Sequence, residues 1–265
     1  MPSPPKELNE LARSLLANGP VKTLPAAPKR IRIGLDGGYA AVTTDAVLVW
    51  EHQYYPTYYL PKTAFGRELS YPVPPPGDGY SLAVLGRGEK KTDRVIVFHQ
   101  GELAGLVRVE FNAVDAWFEE DVRIDVHPKD PFKRVDVLFS SRPISVFVKG
   151  DKVASATSSF HLYETGLPVR FYLPFTAVRP ELLRESATVT ACPYKGEANY
   201  YDLVYSDADD GPGEAPERRL KDVIWYYKNP KIECAAIAGC LCFYSEKVDI
   251  ELDGKMTKDT LCVRF

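Results

Sequence analysis

The sequence predicts an all-β protein made of two tandem copies of one domain in a pseudo-two-fold arrangement, preceded by a short helix. Three observations carry that expectation. Residues 50–64 (WEHQYYPTYYLPKTA) and 163–177 (YETGLPVRFYLPFTA) match without a gap, sharing Glu51/Glu164, Tyr59/Tyr172, the Leu-Pro that follows and a Thr-Ala pair, the self-similarity of a duplicated unit. From Arg30 onward, short runs rich in Val, Ile, Tyr and Phe are broken by Gly, Pro, Asp or Asn, roughly every ten residues, as in sandwiches and barrels. Ahead of them, Leu8, Leu11, Leu15 and Leu16 fall on one side of a helix over residues 5–16.

Taken in order, the helix is followed by a Pro-rich run, residues 19–28, that disconnects it from the rest. Strand-like runs then occupy residues 31–33, 47–50, 94–98, 106–111, 135–139, 144–148, 160–163, 170–173, 188–191, 224–227 and 239–243, with Lys149-Gly150-Asp151 closing one of them as a turn. Two polar stretches, residues 71–79 (YPVPPPGDG) and 206–219 (SDADDGPGEAPERR), read as surface loops. The duplication extends past its opening block. Lys29-Arg30-Ile31-Arg32 echoes Lys133-Arg134-Val135-Asp136, and Ala104-Gly105 followed by Val114-Asp115 returns at the same spacing as Ala238-Gly239 followed by Val248-Asp249. The expected divisions are residues 1–28 for helix and linker, 29–120 for a degenerate first repeat and 121–265 for a second repeat carrying the site, with the boundary at Glu119-Glu120-Asp121. Two copies of one fold in one chain correspond to a fused homodimer, so a monomer with an internal pseudo-dimer is expected.

With 265 residues, 45% of them hydrophobic, the chain can fill a substantial core. A net charge of −3 and a pI near 5.9 exclude broad phosphate-backbone binding, so no nucleic-acid partner is expected. Residues 1–17 hold no apolar run of signal-peptide length, and no later stretch approaches a membrane span, which predicts a cytoplasmic protein with no membrane partner. The five cysteines, Cys192, Cys234, Cys240, Cys242 and Cys262, are odd in number and lack Cys-x-x-Cys spacing. Cys240-Leu241-Cys242 puts two of them on one face of a strand, so neither a disulfide framework nor a metal site is expected. With no cofactor motif either, no cofactor is expected.

A run of motifs in the second copy is distinctive: His127-Pro128-Lys129-Asp130-Pro131-Phe132-Lys133-Arg134-Val135-Asp136-Val137, then residues 162–174 (LYETGLPVRFYLP), Cys192-Pro193-Tyr194-Lys195-Gly196, Trp225-Tyr226-Tyr227, Ile237-Ala238-Gly239 and Phe243-Tyr244. In this order they resemble the domain-of-unknown-function family 427, from about Arg30 to Gly254, with the first copy similar to the degenerate N-terminal half of its tandem members. The resemblance implies a β-tent fold, the architecture of methionine sulfoxide reductase B and of the drug-binding domain of cereblon, in members that have lost the zinc-binding cysteine pairs. The family also carries a nucleotidyltransferase-like label, but this chain shows neither a Gly-rich phosphate loop nor a carboxylate cluster for magnesium. It departs from the family pattern at Tyr200-Tyr201, where a Tyr-Trp pair is usual.

The candidate chemistry gathers in the second copy. Glu164 and Arg170 flank the Gly166-Leu167-Pro168 turn, so they can converge at a hairpin mouth, the acid moving protons and the guanidinium gripping a carboxylate or phosphate. The plainer reading pairs them with each other, worth about 0–1 kcal/mol if exposed. Thr57 stands where Arg170 would be in the first copy, which favours a single site. Lys195 has no acid beside it in sequence. In a partly dry pocket such a lysine has a lowered pKa and acts as base or nucleophile, or stays charged and binds an anion; otherwise it is a solvated turn lysine. Gly196 would let a ligand approach the backbone. Tyr172 offers a positioned hydroxyl, and Tyr194, Tyr200 and Trp225 can wall a pocket for a planar ligand. Cys192 lies among them and reads more simply as a packed thiol. No histidine is a catalytic candidate: His161 points away from Leu162 on a strand, and His52, His99 and His127 share no useful spacing.

The expected function is a small-molecule-processing enzyme of hydrolase, lyase or cyclase type. Glu164, Lys195 and Tyr172 would carry acid–base chemistry, with Arg170, Tyr194, Cys192, Tyr200 and Trp225 binding a polar or anionic metabolite. The alternatives are a non-catalytic ligand-recognition module, by analogy with the cereblon-like tent, and an interaction scaffold using the loop at residues 71–79.

Overall fold

The computed structural model describes residues 8–26, 28–71, 79–205 and 218–257. Cys262 and most of the two expected loops, residues 72–78 and 206–217, lie outside the described residues. The chain divides into two compact units, Met1–Asp130 and Pro131–Phe265.

The first unit begins with helix α1 (Leu8–Asn18) and continues with β1 (Lys22–Pro25), β2 (Ile31–Leu35), β3 (Gly38–Thr43), β4 (Val47–Trp50), β5 (Thr57–Pro61), β6 (Leu69–Ser70), β7 (Tyr80–Arg87), β8 (Lys90–Phe98), β9 (Leu106–Val109), β10 (Ala116–Glu119) and β11 (Val122–Ile124). The second holds β12 (Val135–Ser140), β13 (Ile144–Val148), β14 (Asp151–Ala156), β15 (Ser159–Glu164), β16 (Arg170–Leu173), β17 (Leu183–Cys192), β18 (Gly196–Tyr205), β19 (Arg218–Tyr226), β20 (Leu241–Phe243), β21 (Asp249–Leu252) and β22 (Lys255–Met256). Each unit has a seven-stranded antiparallel sheet, β1-β4-β5-β9-β8-β7-β6 in one and β12-β15-β16-β20-β19-β18-β17 in the other. Each also has a four-stranded sheet, β11-β10-β2-β3 and β14-β13-β21-β22. Corresponding strands pair in the same order in both units, so the duplication seen in sequence is a duplication of topology. The first hairpin of each four-stranded sheet turns through two residues with positive φ, Asp36-Gly37 (47° and 69°) and Lys149-Gly150 (52° and 87°), the backbone that a two-residue hairpin loop needs.

Side-chain alternation gives each large sheet two buried faces. On β8, Val95 and Val97 join Ile31, Ile33 and Trp117 in the core between the sheets, whereas Ile96 and Phe98 face the other way. The second unit repeats this, with Phe171, Leu173, Ile224, Leu241 and Phe243 inside and Leu162, Tyr172, Trp225 and Cys242 on the outer face. Burial on both faces is why the central strands read as continuous apolar runs.

What covers the outer face differs between the units. In the first, α1 lays Leu8, Leu11, Ala12 and Leu15 over Val49, Tyr59, Tyr80, Ile96 and Phe98, and Asn9 accepts a hydrogen bond from the Tyr80 hydroxyl at 2.9 Å. In the second, a 3-10 segment (Ile232–Ile237) supplies Cys234 and Ile237 to the corresponding cluster. A short segment covers less than a three-turn helix, and Glu164, Tyr172 and Trp225, the candidate residues, lie toward that face.

Four expectations from the sequence change. The Pro-rich linker contains β1, which forms the edge of the large sheet through β4, and an edge strand tolerates Pro25 because no neighbour needs its missing N–H. Residues 121–130 belong to the first unit, since β11 pairs with β10, and the division falls at Asp130 and Pro131 rather than at Glu120. The echo of Lys29–Arg32 in Lys133–Asp136 does not align equivalent strands: β12 corresponds to β1, with Asp136 opposite Tyr163 as Lys22 is opposite Trp50. The run at 106–111 ends as strand at Val109, where a 3-10 turn (Phe111–Ala113) follows.

Candidate active site

β15 delivers Glu164 at its last position, and β16 opens with Arg170 and carries Tyr172. The connecting turn closes by a Leu167 N–H bond to the Glu164 carbonyl at 3.0 Å, with Gly166 at φ 75°. Across the sheet, the turn between β17 and β18 holds Lys195. Gly196 fixes it there: its φ is 100°, and a Cβ would stand 3.3 Å from the Asn229 carbonyl, a conformation and an approach suited to glycine. The Lys195 carbonyl then accepts a hydrogen bond from Lys231 N–H at 3.0 Å.

From this anchored turn the Lys195 ammonium donates to Glu164 Oε2 at 2.5 Å, with side-chain exposures of 13% and 6%. The second Glu164 oxygen accepts no hydrogen bond among the described residues. Burial disfavours the ammonium, but the neighbouring Cys192 sulfur and the Glu164 carboxylate outweigh it and raise the Lys195 pKa above its usual value. This corrects the lowered value expected for a lysine without an acid: the acid is 31 residues away in sequence. Of the two roles considered for Lys195, a persistent positive charge fits this environment and a neutral base does not.

A cavity of about 170 Å³ opens beside the pair. Its lining includes Glu164, Arg170, Tyr172, Lys195, Tyr200 and Trp225, joined by Tyr227 and Tyr244. The Tyr172 hydroxyl accepts the Trp225 indole N–H at 3.1 Å, the two rings meeting edge to face at 6.3 Å, which leaves the phenolic proton free to donate. Burial raises the Tyr172 pKa well above its usual value, so it stays a neutral donor. Tyr200 bonds Thr190 at 2.8 Å.

Arg170 is committed elsewhere than the sequence suggested. It does not pair with Glu164; its guanidinium meets both Glu246 oxygens at 2.8 Å, contacts Ser245 at 3.1 Å and lies over the Trp225 and Tyr244 rings at 5.4 and 5.8 Å. Hydrogen bonding from Arg170 holds the Glu246 carboxyl down at about 2. The expected anion grip is therefore filled by a carboxylate of the same chain. Cys192 and Tyr194 do not line the cavity; the Tyr194 carbonyl instead accepts the buried Cys234 thiol at 3.8 Å. His161 is buried against Phe171 at 4.8 Å and bonds Ser159 at 3.2 Å; burial lowers its pKa.

The first unit answers the same problem differently. Glu51 accepts Arg108 Nε at 2.8 Å and NH2 at 3.3 Å, together with the Tyr59 hydroxyl at 3.1 Å, and Arg108 and Glu51 are 11% and 9% exposed. Arg108 stands opposite Tyr59 on β5 and Ile96 on β8. The corresponding position, opposite Tyr172 and Trp225, is Cys242. Sequence reasoning missed both residues, although the constant offset between Ala104-Gly105 and Ala238-Gly239 already aligns them.

The sequence matches a protein-family profile described as a domain of unknown function (DUF427) over residues 23–74 and 136–254, more than half of the chain. The second segment contains every residue lining the cavity. Among curated proteins, none matches.

Proposed function

We propose, for a chain that belongs to the domain-of-unknown-function family DUF427, that the second unit is a small-molecule enzyme using proton transfer at the Lys195–Glu164 pair. The observation that carries this is a buried ion pair open to an aromatic-walled cavity. Desolvating two charges costs several kcal/mol that their attraction only partly returns, so such a pair beside a cavity is a reason to assign function. In this reading Glu164, through its unbonded oxygen, takes a proton from the substrate. The Lys195 ammonium stabilises the negative charge that develops, and the Tyr172 hydroxyl donates a hydrogen bond that orients the reacting group. Trp225 and Tyr200 flank the substrate, and Arg170, braced by Glu246, stiffens the rim. A monomer working in the cytoplasm accords with this reading; no helix among the described residues is long and apolar enough to cross a membrane.

One observation favours a second reading, a recognition module without turnover: the charges at the cavity are already paired, Lys195 with Glu164 and Arg170 with Glu246. Screening small polar metabolites by thermal shift, then following each stabilising compound by mass spectrometry, separates the two. For an enzyme, Glu164→Gln and Lys195→Met abolish conversion while affinity changes only a few-fold. A recognition module loses affinity and converts nothing with either variant, and that result sinks the enzyme reading.

A further inference from the structure

The outer faces of the two large sheets correspond residue by residue, because their strands pair in the same register. Leu82 pairs with Ile96 in the first unit as Tyr200 pairs with Trp225 in the second, and Phe98 and Tyr227 each follow two residues further along. In the first unit Leu82, Ile96 and Phe98 belong to the apolar cluster that seats the leucines of α1. In the second, all three positions carry aromatic residues with polar tips, and all three line the cavity. A seat for leucine side chains has become one furnished with hydroxyls. We propose that this cavity binds a neutral polyhydroxylated ring, of monosaccharide or cyclitol type, held through its hydroxyl groups by Glu164, Lys195 and the surrounding phenols.

The cavity's charges are taken up in two pairs, Lys195 with Glu164 and Arg170 with Glu246. A cationic ligand would crowd Lys195 and an anionic one would face the buried Glu164 carboxylate, whereas a neutral ligand meets neither penalty. The other polar groups are mostly hydroxyls. Tyr172 accepts from the Trp225 indole and keeps its own proton to donate. Tyr200 is bonded to Thr190 at 2.8 Å and stands beside Tyr244. The Tyr227 hydroxyl, on a residue 3% exposed, makes no hydrogen bond among the described residues. Burial raises the pKa of Tyr172, Tyr227 and Tyr244, the last to about 12, so all three stay protonated. A matching ligand therefore accepts from several phenols and the ammonium, and also donates to the second Glu164 oxygen. A hydroxyl does both at one atom. An amide offers a single carbonyl acceptor and a carboxylate or phosphate only accepts, but a ring bearing several hydroxyls supplies both functions in several directions while its C–H faces lie on the aromatic walls. At about 170 Å³, below the roughly 300–1,000 Å³ of pockets for drug-sized ligands, the cavity takes one such ring and not a chain of them.

This rests on the cavity being a small-molecule site, and the test separates the two ideas. Ligand-observed NMR on the full chain compares D-glucose, D-galactose, D-mannose and myo-inositol with D-glucuronate, D-glucosamine and cyclohexanol. The tightest neutral polyol is expected to bind at least tenfold more tightly than the anion, the cation and the ring with a single hydroxyl. Tyr227→Phe removes one hydroxyl and keeps the ring, and should weaken that binding about fivefold, the worth of one hydrogen bond. Should Tyr227→Phe fail to fold, Tyr244→Phe, at a half-buried residue, removes a hydroxyl from the same cavity and is expected to give a similar loss. Equal or tighter binding of a charged ring or of cyclohexanol, no binding of any polyol, or unchanged polyol binding in a folded Phe variant overturns the inference. If the screened metabolites include a converted compound that is not polyhydroxylated, the proton-transfer reading survives and this one falls; if a polyol binds as described and nothing is converted, the reverse holds.

Discussion

Removing Lys195 would strand a carboxylate that is only 6% exposed. Breaking a buried pair from one side costs about 3–5 kcal/mol, because the remaining charge keeps its desolvation penalty and loses its partner. Lys195→Met is therefore expected to lower the unfolding free energy by that amount in urea denaturation, and Lys195→Met with Glu164→Leu to be less harmful than Lys195→Met alone. A loss below about 1 kcal/mol would mean the pair behaves as an exposed one. The pH dependence has two arms. Lys195 has a raised pKa in the fold, so its contribution is complete below the ordinary lysine value of 10.5 and drains away as pH rises through the folded value. Wild type should lose stability in that alkaline range, and Lys195→Met should lose less. Glu246, held at about 2 against an ordinary 4.5, gives the opposite sign: its contribution is present above pH 4.5 and lost as pH falls toward 2. With Glu246 half exposed, that contribution is small, and an NMR titration of its carboxyl is the direct check. The sequence disclosed these residues without their partnerships. Glu164, Lys195 and Arg170 stand out from motif and turn chemistry, but the contacts that define them span 31 residues to Glu164 and 76 to Glu246, distances over which local pattern carries no information.

At the scale of elements, the turn that presents Lys195 depends on one glycine. Gly196→Ala would place a Cβ against the Asn229 carbonyl at a φ of 100°, strain of about 1–3 kcal/mol that the turn can relieve only by moving Lys195. Thermal melting should show the loss, and the Lys195 ammonium should no longer report contact with Glu164 in NMR. Helix α1 makes a complementary case. Leu11→Ala and Leu15→Ala remove side chains buried over β7 and β8, at about 2–5 kcal/mol each. Amide exchange should speed up in β7 and β8 while β18 and β19 are unaffected; acceleration in both pairs would show that the helix supports more than its own unit. The strands found from sequence, such as β4, β13 and β16, have both faces apolar or a sharp turn beside them. Those missed carry weaker signals. β18 (GEANYYDLVY) buries Ala198, Tyr200, Asp202 and Leu203, a set whose polar members, among them Asp202 bonded to the Arg219 guanidinium and the Asp222 N–H, read as loop chemistry until their partners are known. β1 was hidden by its proline, Pro25, which an edge position makes harmless.

The two units share no core residue: the clusters of the first use only positions before 131 and those of the second only positions after it. Each unit owns both a core between sheets and a covered outer face, at ordinary single-domain size, so each meets the requirements for folding alone. The duplication explains how one unit can diverge without harming the other. The first unit meets its acid with Arg108 and covers the face with α1; the second meets its acid with a cation from a distant turn, and a cavity lies beside the pair. A fragment Pro131–Phe265 is accordingly expected to fold with one cooperative urea transition and native-like emission from Trp225, the sole tryptophan of that unit. In the full chain, Leu60→Ala, which opens the first unit's core at a residue with no exposure, should shift the unfolding reported by Trp50 and Trp117 and leave the Trp225 transition in place, read by replacing the other tryptophans with phenylalanine in turn. If the fragment instead binds dyes of exposed apolar surface and melts without cooperativity, or if Leu60→Ala moves both transitions together, the units are not independent, and divergence in the first would constrain the site in the second.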